Sequence, residues 1–129
     1  MHLVYLVLGL ALVQYLWFGV LVGRARGLYK VPAPAVAGNE LFERQFRVQQ
    51  NTLELLVILT PSLLMFANYV SATWAAVLGA IYLVGRFLYA AGYVKEPGKR
   101  SAGFGLSIVP ILALLLGGLI GAVRGLIVG

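Results

Sequence analysis

Long apolar runs, rather than an alternation of apolar and polar positions, dominate this chain. Residues 1–23 and 101–123 contain no Lys, Arg, Asp or Glu. A helix needs about 20 apolar residues to cross the roughly 30 Å hydrocarbon core of a bilayer. Each run therefore predicts one membrane span, at about 3–23 and 101–123. A cleaved signal peptide is the alternative for the first run, but the run lacks a basic start and ends in Arg24 and Arg26 rather than at a small-residue cleavage site.

The middle of the chain holds an uncharged stretch that is too long for one span and too short for two. Residues 55–85 carry no charge over 31 positions. The turn-like segment 68–71 divides the stretch into arms of about 13 and 14 residues, and a helix of that length reaches only roughly 20 Å. Each arm must therefore be extended by residues beyond the uncharged stretch. We predict two further spans at about 40–67 and 72–95.

Composition agrees with a membrane protein. The chain has 129 residues, of which 61% are hydrophobic and 11% charged, and its mean hydropathy is +0.94. A soluble domain of this size cannot bury so many apolar side chains. We therefore predict an all-α membrane protein, a bundle of four transmembrane helices that forms a single domain over residues 1–129. The chain has no Cys and one His, which excludes a thiolate or histidine cage, so no metal site is predicted.

The basic residues predict the orientation in the membrane. The net charge is +6, and Lys and Arg cluster in the predicted loops 24–39 and 95–100 but not in 68–71. The positive-inside rule places the two basic loops in the cytoplasm. Short loops without a retention signal favour a bacterial inner membrane over the endoplasmic reticulum. The basic residues lack a soluble face on which to bind nucleic acid, so no nucleic-acid partner is predicted.

Polar residues on the second and third predicted helices indicate a binding site. The two sets are spaced by three or four residues, so each lies on one helix face: Glu43, Arg47, Asn51 and Glu54; Tyr82, Arg86, Tyr89 and Tyr93. Ionisable groups inside a membrane are costly and mark functional sites. Guanidiniums bind carboxylates and a glutamate binds an ammonium, which predicts a small anionic peptide or zwitterion as ligand.

Two other considerations bear on this site. An arginine or tyrosine hydroxyl beside a bound thiol would stabilise its thiolate, which is what conjugation chemistry needs. Snorkelling arginines and interfacial tyrosine anchors are the alternative interpretation. That alternative explains Asn51 and Glu54 less well, because their short side chains cannot reach water from far inside the membrane.

Two motifs carry a resemblance to a known family. Residues 42–54, FERQFRVQQNTLE, resemble the second-helix signature of the MAPEG superfamily, the membrane-associated proteins in eicosanoid and glutathione metabolism. Residues 86–93, RFLYAAGY, resemble its third-helix R-x-x-Y-x-x-G-Y pattern. The resemblance covers essentially the whole chain and is closest to the microsomal glutathione S-transferases. It implies a homotrimer that holds glutathione, as a cosubstrate, between neighbouring subunits near the cytoplasmic side.

The same resemblance implies roles for individual residues. The predicted glutathione-binding residues are Arg26, Arg47, Gln49, Asn51, Glu54, Arg86, Tyr89, Tyr93 and Arg100. Glu54 would take the γ-glutamyl ammonium, and the catalytic candidates are Arg100, the first choice for stabilising the thiolate, and Arg26. The leukotriene C4 synthase branch has paired arginines where this chain has Arg26 and Gly27, and a tyrosine where it has Leu55. These departures place the chain nearer to the broad microsomal glutathione transferases.

The leading functional prediction is therefore a transferase that conjugates glutathione to lipophilic electrophiles arriving from the membrane lipid, a detoxification reaction. Glutathione-dependent peroxidase activity towards lipid hydroperoxides is predicted as well, because it needs only the same thiolate beside a membrane-facing cleft. A non-enzymatic lipid-binding or lipid-presenting membrane protein is one alternative. A small four-span multidrug transporter is another, and it is disfavoured because the first span contains no acidic residue.

Overall fold

The computed structural model describes residues 1–129, the side chain of Pro97 excepted. It consists of four long helices, α1 to α4 in chain order, and a short 3₁₀ turn before the last one. They are α1 His2–Tyr29, α2 Glu40–Tyr69, α3 Ala72–Lys95, the 3₁₀ turn Pro97–Arg100 and α4 Ser101–Val128. All four helices are long and apolar enough to cross a membrane, which confirms the predicted all-α membrane fold. The exact membrane limits and the assignment to a single domain stay predictions.

The first helix is longer than the span predicted for it. It continues through Arg24 and Arg26 to Tyr29, so the connector to α2 begins at Lys30 rather than at residue 24. Arginine is a good helix former and does not end a helix by itself. The helix ends where Lys30 takes the left-handed conformation, at φ 57° and ψ 48°, shortly before Pro32. A proline disfavours helical geometry in the residue that precedes it.

Side-chain caps fix the starts of the two central helices. The Asn39 side chain accepts hydrogen bonds from the backbone N–H groups of Leu41 and Phe42, at 2.9 and 3.1 Å. The Ser71 hydroxyl accepts one from the backbone N–H of Trp74, at 3.2 Å. Such caps satisfy N–H groups that have no partner within the helix. They set the register of α2 and α3 from the first turn, and with it the direction in which their polar faces point.

Close contact between α3 and α4 brings the start of α4 against the polar face of α3. A methyl group added at Gly103 would lie 2.2 Å from the backbone nitrogen of Tyr89, and one added at Gly85 would lie 2.6 Å from the carbonyl carbon of Leu106. Only glycine permits the two backbones to approach this closely, as is common between membrane helices. The 3₁₀ turn that carries Arg100 is therefore held beside Tyr89.

The apolar side chains divide between a buried core and an exposed outer surface. The largest core cluster includes Leu59, Leu63 and Leu114, which are fully buried. Large apolar side chains such as Leu16 and Ile120, each 67% exposed, cover the outside of the bundle. A surface of this kind suits lipid, in which backbone polar groups must be satisfied within the protein, as they are in a helix.

Candidate functional site

A polar cavity lies where α2, α3 and the 3₁₀ turn meet. Its volume is about 210 Å³, and it is open on one side. The lining residues are Arg47, Gln50, Asn51, Glu54, Tyr89, Tyr93 and Arg100. All of them except Gln50 are among the predicted site residues. Three separate segments of the chain therefore supply the candidate site.

The α2 side of the cavity follows from helix spacing. Arg47, Asn51 and Glu54 are separated by four and three residues, so their side chains share one face. Gln50 lies on the same face, three residues after Arg47 and four before Glu54, and it also lines the cavity. The sequence prediction did not include Gln50 among the binding residues, although its spacing from Arg47 and Glu54 places it on the same helix face.

Two stacked tyrosines form the α3 side of the cavity. The rings of Tyr89 and Tyr93 are 5.6 Å apart between centroids, with an interplanar angle of 20°. Tyr89 also packs against Phe104 of α4, at 6.3 Å, and is only 5% exposed. The cavity therefore combines an aromatic wall with phenolic hydroxyls, and packing from two helices holds the wall in place.

The cavity contains charges of both signs. Arg47 and Arg100 supply two guanidiniums, and Glu54 supplies one carboxylate. Among the side chains that the structure describes, the ion pairs are Arg44 with Glu40 and Lys99 with Glu96, so none of the three cavity charges is paired within the chain. A ligand that carries both carboxylates and an ammonium would complement them.

Arg86, a predicted binding residue, lies behind the cavity wall rather than in it. Its side chain is fully buried. Its Nε donates a hydrogen bond to the Ser107 hydroxyl at 2.9 Å, and its Nη1 donates to Asn51 Oδ1 at 2.7 Å and to Thr52 Oγ1 at 3.2 Å. The Tyr89 ring lies 4.3 Å from the guanidinium carbon. Arg86 thus joins α3 to α2 and α4, and it meets the cavity only through Asn51 and Tyr89.

The sequence prediction did not include Thr52 or Ser107. Both side chains are fully buried in helices long and apolar enough to span a membrane. Hydroxyl side chains in a membrane helix usually bond to the backbone one turn earlier, so neither residue stands out in the sequence alone. Their second role, as acceptors for Arg86, depends on how three helices pack together.

Arg26 also lies outside the cavity of its own chain. Its Nη1 donates hydrogen bonds to the carbonyl oxygens of Val31 and Ala35, at 3.2 and 2.7 Å. Its guanidinium stacks over the Phe42 ring at 4.8 Å. Arg26 therefore fixes the path of the connector between α1 and α2.

Gln49 faces α1 rather than the cavity. Its Nε2 is 3.1 Å from the position that a Cβ atom at Gly19 would occupy. Residues 49 and 51 are about 200° apart around a helix, so Gln49 and Asn51 point in nearly opposite directions. The two predicted site residues Arg26 and Gln49 are thus not among those that the chain brings into its own cavity.

Arg44 ties the start of α2 to the end of α3. Its Nη1 donates to the carbonyl oxygens of Val94 and Lys95, each at 3.1 Å, and its Nη2 contacts Glu40 at 2.6 Å. The last carbonyls of a helix have no partner within it, and Arg44 donates hydrogen bonds to two of those of α3. This contact holds the α3 end of the cavity against α2.

Four helices able to span a membrane define the class: a multi-pass integral membrane protein. Its polar cavity, which contains charges of both signs, lies between α2, α3 and the 3₁₀ turn. The sequence profile of the MAPEG family matches residues 4–120. The chain belongs to the MAPEG family, which confirms the resemblance drawn from residues 42–54 and 86–93.

Individual relatives agree with this assignment. An uncharacterised protein of Synechocystis is 48% identical over 115 residues, covering 89% of this chain and 84% of that protein. The human protein named microsomal glutathione S-transferase 2 is 46% identical over 102 residues, covering 79% and 69%. The guinea-pig (Cavia porcellus) protein named leukotriene C4 synthase is 34% identical over 95 residues, covering 74% and 62%.

Proposed function

We propose that this chain is a membrane-embedded glutathione transferase that conjugates glutathione to lipophilic electrophiles. The observation that carries the proposal is the meeting of Arg47, Asn51 and Glu54 of α2 with Tyr89 and Tyr93 of α3 and with Arg100 in one cavity. The relatives support it, because identity is higher to human microsomal glutathione S-transferase 2, at 46%, than to guinea-pig leukotriene C4 synthase, at 34%.

Glutathione has the charges that the cavity complements. It carries two carboxylates and one ammonium, together with a thiol. Glu54 would receive the ammonium, and Arg47 would bind a carboxylate, where a guanidinium can donate two parallel hydrogen bonds. Arg100 lies at the end of the 3₁₀ turn, on a different segment from Arg47 and Glu54, and would then face the thiol.

The proposed reaction needs a thiolate held near the bilayer. A cation close to the sulfur favours the ionised form, so the thiol proton is released to water through the open side of the cavity. The thiolate then attacks an electrophilic carbon of the second substrate. A carbon–sulfur bond forms, and the bond to the leaving group breaks with its electron pair, so that an anion such as chloride departs. The peroxidase activity stays a prediction.

The positions of Arg26 and Gln49 support a site completed by a second copy of the chain. Both lie on the α1 side of α2, away from the cavity of their own chain. They would reach glutathione only if that side of a neighbouring subunit covered the open side of the cavity. We therefore propose a homotrimer with glutathione between subunits, near the basic and thus cytoplasmic side of a bacterial inner membrane.

The proposal is tested by titrating detergent-purified protein with glutathione while ultraviolet thiolate absorbance is recorded, and then adding an electrophilic chloronitrobenzene. We expect a saturable thiolate signal followed by product. Glu54→Gln should weaken binding, whereas Glu43→Gln, a matched change on the same helix outside the cavity lining, should not. Folded protein with neither thiolate signal nor product would contradict the proposal and favour the lipid-binding alternative.

A further inference from the structure

The hydrogen bond between Arg86 and Asn51 determines which way the Asn51 amide points. A guanidinium has only donors, so the atom of Asn51 that meets Arg86 Nη1, at 2.7 Å, is the carbonyl oxygen Oδ1. The amide nitrogen Nδ2 must then point away from Arg86. Asn51 lines the cavity, so the group that it turns towards a ligand is an N–H donor rather than an acceptor.

The guanidinium is itself held in one arrangement. The Ser107 hydroxyl donates its only proton to the carbonyl oxygen of Gly103 at 2.7 Å, and the Thr52 hydroxyl donates its proton to the carbonyl oxygen of Val48 at 2.8 Å. Both hydroxyls therefore present only lone pairs to Arg86. The Nη2 of Arg86 is already buried without a hydrogen-bond partner in the described residues. Turning the Asn51 amide over would take an acceptor from Nη1 as well, which is costly for a buried donor.

The charge of Arg86 is also unmatched within the chain. Arg86 is fully buried, and among the described side chains no carboxylate forms an ion pair with it. Its hydrogen-bond partners are all neutral. A polarised donor is stronger than a neutral one, so the cation behind Asn51 makes the amide N–H a better donor to an anionic ligand.

We propose that Arg86 is a positioning residue that does not touch the ligand and acts through Asn51. It holds the Asn51 amide so that its N–H donates to an acceptor, a carboxylate or a peptide carbonyl, of the bound peptide. This inference rests on the proposed function. It replaces the direct binding role that the sequence resemblance gave to Arg86.

A double-mutant cycle on glutathione affinity tests the inference. We measure the Kd by isothermal titration calorimetry for the wild type, Arg86→Lys, Asn51→Ala and the double variant. Asn51→Ala removes the donor and should raise Kd about tenfold or more, as expected for a hydrogen bond to a charged group. Arg86→Lys should raise Kd about tenfold alone but less than about twofold in the Asn51→Ala background, since coupled residues are not additive.

Asn51→Asp distinguishes the loss of the Asn51 N–H donor from a loss of stability. The carboxylate keeps an acceptor for Arg86 and adds an ion pair, so the Tm should be unchanged or higher. The donor is lost and an anion takes its place, so Kd should rise at least as much as in Asn51→Ala. An Asp variant that binds glutathione as tightly as the wild type would overturn the inference.

Ser107→Ala is the matched control, because it removes a hydrogen bond of the same guanidinium on the side away from Asn51. We expect a lower Tm and a smaller rise in Kd than in Arg86→Lys, because the bonds from Arg86 Nη1 to Asn51 and Thr52 remain. Additive effects of Arg86→Lys and Asn51→Ala, or a Kd loss in Ser107→Ala equal to that in Arg86→Lys, would show a general structural role and overturn the inference. Folded wild-type protein that binds no glutathione would instead overturn the proposed function, and this role of Asn51 with it.

Discussion

The two halves of the bundle are held together in different ways. The polar half contains the cavity, the connector between α1 and α2, and the 3₁₀ turn, and it carries every charged side chain of the chain except Arg124. The opposite half contains the α2–α3 turn and the C-terminal part of α4. There, a methyl group added at Gly117 would lie 2.5 Å from the Phe66 ring, and one at Gly121 would lie 2.5 Å from Tyr69 Cβ.

This difference separates two kinds of constraint. In the polar half, hydrogen bonds such as those of Arg86 fix the direction of single side chains. In the opposite half, glycines let aromatic residues of α2 approach the α4 backbone, and shape alone holds the contact. Substitutions in the cavity lining of the polar half should therefore affect chemistry more than stability, and substitutions in the opposite half should do the reverse.

The largest effect is expected from Arg100→Ala. If Arg100 stabilises the thiolate as proposed, its loss should lower thiolate formation and turnover about a hundredfold, the usual effect of removing one stabilising donor. Binding of glutathione should persist in part, and the Tm should change little because Arg100 is exposed. Thiolate absorbance, turnover and Tm are measured on the same sample.

Lys99→Ala is the control for Arg100, because it removes a neighbouring charge whose side chain is 66% exposed. We expect turnover near the wild-type value. If Arg100→Ala left turnover at saturation unchanged, thiolate stabilisation would have to be assigned to another group. Arg100 could then no longer support the expectation that substitutions in the cavity lining affect chemistry more than stability.

An intermediate effect is expected from Gly121→Ala in the opposite half. The added methyl group meets Tyr69 Cβ at 2.5 Å, and such overpacking costs about 1–3 kcal/mol. Gly125→Ala is the matched control, because its methyl group would lie 3.6 Å from the Tyr69 ring, an ordinary contact. We expect a lower Tm only for Gly121→Ala, with turnover per folded protein unchanged in both. Equal Tm values for Gly121→Ala and Gly125→Ala would contradict the idea that close packing against Tyr69 stabilises this half.

The smallest effects are expected at the edge of the polar half. Arg44→Gln leaves the carbonyls of Val94 and Lys95 without their donor and should cost about 1 kcal/mol of stability. Glu40→Gln removes only an ion pair whose carboxylate is 79% exposed, and it should cost no more than about 0.5 kcal/mol. Thermal unfolding in one detergent compares them. A larger loss of stability for Glu40→Gln than for Arg44→Gln would mean that the ion pair stabilises the protein more than the hydrogen bonds to the end of α3 do.

The four helices and most of the cavity could be predicted because both depend on local spacing. Uncharged runs set the number of spans, and helical periodicity places Arg47, Asn51 and Glu54 together. The roles of Arg26 and Arg86 could not be predicted in this way. Arg26 bonds to carbonyls whose positions depend on the path of the connector, and Arg86 bonds to neutral groups on two other helices. The Nε and Nη1 of Arg86 bond to neutral groups rather than to an acid, and its Nη2 is buried without a hydrogen-bond partner in the described residues.

The turn between α2 and α3 has a consequence for how the chain enters the membrane. Only Val70 and Ser71 separate the two helices, which are the less apolar pair of the four. An arginine in the middle of a membrane helix opposes insertion by about 2.5–3.5 kcal/mol. During synthesis, Asn51 and Thr52 emerge before Arg86. The α2–α3 hairpin can therefore enter the bilayer as one unit, with the guanidinium already solvated by the preceding helix, and α4 adds Ser107 afterwards.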